Sequence, residues 1–167
     1  HIKSISDTWL KFPAGSDYSY SNLGLDLAAK IVEQVSRIKF NDFLKTRIFN
    51  PLRMNSTTID DTEVVSATDK TEGTIPSVKT KHYTIPLMGS GAVYTNLSDF
   101  IRYVQLQMNS GEVKGAQIIS KKYLSEMYTI RLNNYGLGIY IDKSDSIWYI
   151  NHNGSGYGYS ATMLWYP

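Results

Sequence analysis

Cysteine is absent from the 167 residues, which excludes disulfides, thiolate nucleophiles, cysteine zinc sites and iron–sulfur clusters. Histidine is scarce. The three present, His1, His82 and His152, are too scattered to suggest a metal motif, and neither metal nor cofactor is expected. No apolar run approaches the roughly 20 residues that a membrane-spanning helix needs. A basic start followed by an apolar stretch and a small-residue cleavage site is also missing. Nor is there charge of one sign: seventeen Lys plus Arg against fifteen Asp plus Glu give +2, scattered without a like-charged block. That leaves no nucleic-acid footprint.

What remains is the composition of one globular domain. A length of 167 residues fits a single hydrophobic core, and a hydrophobic fraction of 42% excludes disorder as the main state. Tyrosine is frequent at thirteen. Such rings line cores or clefts, since each buries an apolar body and keeps a polar tip.

Periodicity orders the chain. Leu23, Leu27, Ile31 and Val35 make one helical face that Ser21 or Asn22 can cap, and Phe40 to Phe49 suggests a second short helix, capped by Asn41 and stopped before Pro51. Residues 55–81 are polar and aperiodic, including Pro76, and read as loop or partly ordered hairpin. Order returns at Ile85. Gly89 and Gly91 mark a tight passage before a third helix, started by Asn96 or Ser98, with Leu97, Phe100, Ile101, Val104 and Met108 as its buried face and Gly111 as its stop. Ser120 introduces a fourth helix with Tyr123, Leu124 and Met127 on one side. Tyr135 to Asp142, Ile147 to His152 and Tyr159 to Tyr166 then read as antiparallel strands, separated by Lys143 to Ser146 and by a glycine cluster. The expected class is α+β, with helices packed on an antiparallel sheet. Pro167 directly follows a strand, and His1 stands just before the first motif. The 167 residues therefore read as one domain that is a portion of something longer.

Two constellations could carry chemistry. In the first, Tyr18-Ser19-Tyr20-Ser21-Asn22, an extended backbone would project Tyr20 and Asn22 together. A phenol acts as a general base if cationic neighbours stabilise its anion, and a nearby amide can orient a carbonyl or a lysine. By spacing alone, packing by Tyr20 and capping by Asn22 explain the pattern more simply. The second, His152-Asn153-Gly154-Ser155-Gly156-Tyr157-Gly158, puts glycines between two strands, where exposed amides can form an oxyanion hole. It is not a dinucleotide fingerprint, since the spacing is G-x-G-x-G and a strand follows. By itself, a glycine-rich hairpin with a solvent-facing histidine explains it more simply. Ser36-Arg37-Ile38-Lys39 fits a Ser-x-x-Lys nucleophile, but it lies at a helix end without a catalytic partner and reads as coincidence. The sequons at Asn55, Asn96 and Asn153 matter only in a glycosylating pathway.

Several segments in order resemble a known family. Phe12-Pro13-Ala14-Gly15 to Tyr20-Ser21-Asn22-Leu23-Gly24, followed by Ile48-Phe49-Asn50-Pro51-Leu52-Arg53-Met54, resembles the Y-x-N segment and "PLGM" stretch of serine β-lactamase-related hydrolases. These include class C β-lactamases, D-Ala-D-Ala carboxypeptidases, D-aminopeptidases and esterases. Gly89 to Thr95 is similar to their "G-G-L-Y-S-T" element. Tyr135-Gly136-Leu137-Gly138 resembles their "YGLGW" strand, and His152-Asn153-Gly154 an H-x-G form of K-T-G.

The resemblance implies a β-lactamase/transpeptidase-like fold and an extracytoplasmic hydrolase that forms an acyl-enzyme on a small-molecule or peptide substrate. Tyr20 would be the general base, and Asn22 would position lysine and substrate. His152 would line the opposite cleft wall, Asn153 and Gly154 would bind substrate, and the Ser155 amide would be an oxyanion donor. Two departures stand out. The family's Ser-x-x-Lys lies upstream of Y-x-N, so the nucleophile is expected from another segment or a second chain, and the isolated 167 residues are expected to be inactive. His152 and Asn153 replace Lys and Thr, which leaves β-lactams, esters and D-amino-acid peptides equally open. A non-catalytic binding module that keeps the cleft walls is the alternative, and an interaction domain exposing Tyr-rich strands is a third.

Overall fold

In the first helix, α1 (Asn22–Ser36), the Ser21 hydroxyl accepts the Gly24 amide at 3.0 Å, and the helix stops where Arg37 turns left-handed at φ 61°. A computed structural model describes residues 2–75, 78–79, 87–156 and 158–167. His1, Pro76, His82, Ile85 and Tyr157 fall outside them.

The face that α1 buries is not the one its periodicity suggests. Leu27, Ile31 and Val35 are exposed, whereas Asp26 and Ala29 are buried. A side chain on Gly89 would come within 2.3 Å of the Leu25 carbonyl oxygen and 2.8 Å of the Ala29 Cβ, so the backbone of the 88–90 turn rests on the helix itself. Asp26 Oδ1 accepts the Gly89 amide at 2.8 Å, and the Ser90 amide and hydroxyl at 3.0 Å each. A buried carboxylate is tolerated only with such donors, and this contact turns the apolar stripe outward. Asp26→Ala is expected to destabilise the protein by about 3 kcal/mol, because three donors lose a charged acceptor. Asp26→Asn, which keeps one carbonyl oxygen, should recover part of the loss in urea denaturation.

Next, α2 (Phe40–Leu44) runs into one π-helical turn (Lys45–Phe49) that ends ahead of Pro51. Asn41 lies inside α2 and does not cap it. The capping acceptor comes from α1, where Glu33 Oε1 takes the Phe40 amide at 2.9 Å. Lys30, which donates to the same carboxylate, and then the Phe40 amide hold the Glu33 carboxyl below the usual range. Phe49, Leu52 and Met54 join Leu106 in one core cluster.

The polar excursion holds the partly ordered hairpin that its composition suggests, and a helix that it does not. A helix, α3 (Asp61–Ser66), is capped by Asp60, and a short antiparallel hairpin joins β1 (Thr74–Ile75) to β2 (Val78–Lys79). Elements this short show no usable periodicity.

In α4 (Leu97–Met108), Asn96 caps the start through the Asp99 amide at 2.8 Å, and the Gly111 amide returns to the Leu106 carbonyl at the end. Its buried face also departs from the apolar pattern. Leu97, Ile101 and Met108 are exposed, while Asp99, Leu106 and Gln107 are buried. Asp99 decides the rotation: Oδ2 accepts the Ser56 amide at 2.7 Å and the Thr57 hydroxyl at 3.0 Å, and Oδ1 pairs with Arg102 at 2.6 Å. A small hairpin, β3 (Glu112–Val113) and β4 (Ala116–Gln117), leads to α5 (Lys121–Met127), which Ser120 caps.

Three antiparallel strands follow, β5 (Tyr140–Ser144), β6 (Ile147–Gly156) and β7 (Tyr159–Trp165), in spatial order β5-β6-β7. Ile139, Ile141, Ile150 and Trp165 form their buried face, covered by Val104 of α4 and Met127 at the end of α5. Helices on one side of an antiparallel sheet are the expected α+β arrangement. Two boundaries differ. Of the strand expected from Tyr135, that residue makes only isolated bridges to Leu132 and Tyr140 while 136–139 turn, and the glycine cluster through Gly156 belongs to β6.

Candidate active site

Tyr20 sits on the extended segment that enters α1. Residues two apart on such a segment face one way, and the pair brought together is Tyr18 and Tyr20, both of which meet Tyr135 (ring centroids 5.2 and 6.1 Å). Asn22 is already the first residue of α1, so the extended-backbone argument for its alignment with Tyr20 does not reach it. On the far wall, the His152 ring lies 6.2 Å from Tyr20 and 6.1 Å from Tyr140. The two widely separated constellations therefore converge at one place.

The register of β6 fixes where its amides point. Asp145 and Ser146 both have positive φ (48° and 74°), a two-residue type I′ loop, so the closing pair Ser144↔Ile147 is a hydrogen-bonded one. Alternation assigns 149 and 151 to β5, and 150, 152, 154 and 156 to β7. Asn153 and Ser155 therefore direct their amides away from β7. On that side the β5 ladder ends at Tyr140↔Asn151, short of both residues. Space beside Gly154 is open, since a Cβ there would meet nothing within 4 Å. Asn153, Gly154 and Ser155 are all exposed. Among the described residues no strand pairs with that side, which leaves a sheet edge that begins at the histidine facing Tyr20.

Beneath the pair lies a tyrosine layer that periodicity did not single out. Tyr135 packs edge-on against Tyr140 at 4.6 Å, and the Tyr18 and Tyr140 hydroxyls are 3.3 Å apart. Burial, followed by neighbouring phenols, pushes the Tyr135 hydroxyl up to about 12. Burial and the Tyr140 hydrogen bond raise Tyr18 as well. Both stay neutral at physiological pH. Tyr18 was legible by its two-residue spacing from Tyr20. Tyr135 and Tyr140 reach the site through a turn that only the tertiary structure forms. Asp26 holds the 88–90 turn against α1, and an acid among the apolar residues at the start of that helix was its signal.

Ser36 is elsewhere. It closes α1, about 20 Å along the helix from Ser21 at ~1.5 Å per residue. Arg37 is left-handed, and the Ser36 hydroxyl accepts the Ile38 amide at 3.2 Å, so Lys39 is not one helical turn away. Among the described residues no cluster of His, Cys, Asp and Glu could hold a metal ion. No described helix is long and apolar enough to cross a membrane.

Helices packed against an antiparallel sheet are the architecture of the penicillin-binding protein and β-lactamase folds that this chain superposes on. The beta-lactamase family model matches residues 2–167, and the chain belongs to that family of serine hydrolases. A penicillin-binding protein of Bacillus subtilis is 28% identical over 179 aligned residues, covering 93% of this chain and 38% of the relative. The octameric penicillin-binding protein homologue of Pyrococcus abyssi superposes with a TM-score of 0.82 at 25% identity, over 95% of this chain and 38% of that one. A β-lactamase/D-alanine carboxypeptidase of Pseudomonas syringae shares the fold with a TM-score of 0.74 at 17% identity, over 98% of this chain and 55% of that one. The chain thus spans well under half the length of the curated relative.

Proposed function

We propose that the chain is the cleft-forming portion of a larger serine hydrolase domain that acts through an acyl-enzyme on an amide, ester or β-lactam carbonyl. The observation that supports this reading most is the approach of Tyr20 to His152, 6.2 Å between rings, across the open edge of β6. Tyr20 takes the proton of the attacking serine as general base. Asn22 orients the nucleophile's lysine and the substrate, and His152 forms the opposite wall. Asn153 and Gly154 line the edge along which substrate lies, and the Ser155 amide donates to the developing oxyanion.

The serine comes from a Ser-x-x-Lys segment outside these 167 residues, in the same gene product or in a second chain. The uncovered apolar stripes of α1 and α4 fit that reading, since exposed Ile31, Val35, Leu97 and Ile101 are the kind of surface a neighbouring part of a domain covers. Kinship with penicillin-binding proteins supports an extracytoplasmic location for the whole molecule, acting on a small molecule or peptide.

The test is labelling with a fluorescent penicillin and a fluorophosphonate, followed by mass spectrometry. The complete gene product should carry the adduct on a serine outside this chain, and the 167 residues alone should carry none. An adduct on any serine here, Ser36 included, overturns the assignment. The competing reading is a non-catalytic module that binds the same substrates, favoured by the distance of Ser36 from the cleft. It predicts saturable binding by the complete protein with no covalent adduct.

A further inference from the structure

The ring contacts single out one side chain that the proposed chemistry leaves unused. Tyr135 meets three aromatic rings at once: Tyr18 at 5.2 Å, Tyr20 at 6.1 Å and Tyr140 at 4.6 Å. Against Tyr20 and Tyr140 its geometry is edge to face, with interplanar angles of 79° and 75°, the arrangement aromatic quadrupoles favour. These contacts are made by the ring. The hydroxyls that bond each other belong to Tyr18 and Tyr140.

Tyr135 is also held from several directions. Asn133 and Asn134 have φ of 50° and 56°, so the chain reverses in a tight two-residue loop whose ends bond, Tyr135 N–H to the Leu132 carbonyl and Arg131 N–H to the Tyr135 carbonyl. Asn134 and Asn151 both donate to Asp142, at 3.4 and 2.8 Å, tying that loop to the β5–β6 pair. The following residue must be glycine. A Cβ at Gly136 would lie 2.1 Å from the Met127 carbonyl oxygen, so the backbone after Tyr135 is pressed onto the end of α5. Tyr20, by contrast, stands on an extended segment and is 46% exposed. A half-exposed phenol is thus in contact with a ring that its own loop holds in place.

We infer that Tyr135 is a positioning residue, whose ring holds the Tyr20 phenol at the distance and angle from the cleft at which it can take the serine proton. This rests on the hydrolase reading above, and adds to it a residue that touches neither substrate nor nucleophile. Misplacing a reacting group by about 1 Å costs on the order of 10²-fold in rate. Removing the brace should therefore act on turnover and leave substrate binding intact.

The experiment uses the complete protein and a p-nitrophenyl ester, with fluorescent-penicillin acylation as a second probe. Tyr135→Ala is expected to lower kcat by about 10²-fold with KM unchanged, and Tyr135→Phe, which keeps the ring, to restore most of the rate. Should the alanine variant fail to fold, Tyr135→Leu removes the ring edge and keeps apolar volume. In a Tyr20→Phe background the same change should cost nothing further, because residues acting through one another are not additive. Losses that multiply, or a change confined to KM, overturn the positioning role while Tyr20→Phe still reports on the base. A full rate in Tyr20→Phe removes the general base that this inference presupposes and overturns it, whereas a wild-type protein that turns over neither probe sinks the hydrolase reading itself.

Discussion

Replacement of Tyr20 by phenylalanine in the complete protein is expected to slow acylation by about 10²–10⁴, the usual worth of a positioned general base. Melting temperature should change little, because Tyr20 is half exposed and its contacts to Tyr135 and His152 are made by the ring. Phenylalanine preserves that ring and deletes only the proton acceptor. Stopped-flow acylation by a fluorescent penicillin measures the effect. An unchanged rate would return Tyr20 to a packing role, and it would remove the reason for which His152 and the β6 edge are joined to it.

The second large effect is expected at Ser155 and separates side chain from backbone. Its amide points off the ladder, beyond the end of β5 at Tyr140↔Asn151, where it can meet negative charge growing on a carbonyl oxygen. A fixed dipole stabilises that charge without the reorganisation that water needs. Ser155→Ala should therefore keep most activity. Ser155→Pro, which deletes the N–H, should lower turnover by about 10²–10³. Because this amide takes no part in the pairing with β7, proline disturbs the ladder less here than at Gly154 or Gly156, and circular dichroism should stay close to that of Ser155→Ala. Equal activity in the two variants would place the oxyanion elsewhere.

Much of this protein was legible in the chain itself. Helix starts were, because Ser21, Asn96 and Ser120 each carry a short oxygen that reaches a free amide in the first turn. The three strands of the sheet and its antiparallel order were legible in their aromatic and β-branched runs. Tyr20 and His152 stood out in their motifs as well, and the structure brings their rings to 6.2 Å of each other.

What the sequence could not decide was which face of each helix turns inward. Apolar periodicity chose Leu23, Leu27, Ile31 and Val35 in α1, and Leu97, Phe100, Ile101, Val104 and Met108 in α4, of which only Leu23, Phe100 and Val104 are even half-buried. The structure buries Asp26 and Asp99 instead, because a buried carboxylate must meet its donors, here in the 88–90 turn and at Ser56 and Thr57. The brace around Tyr20 was beyond periodicity for the same reason. Tyr18, Tyr135 and Tyr140 are drawn together by a left-handed asparagine pair, by a glycine pressed on α5 and by strand register. Caps and strands are written within a few residues of one another, whereas the rotation of a helix and the convergence of rings are set by contacts between residues up to 122 apart.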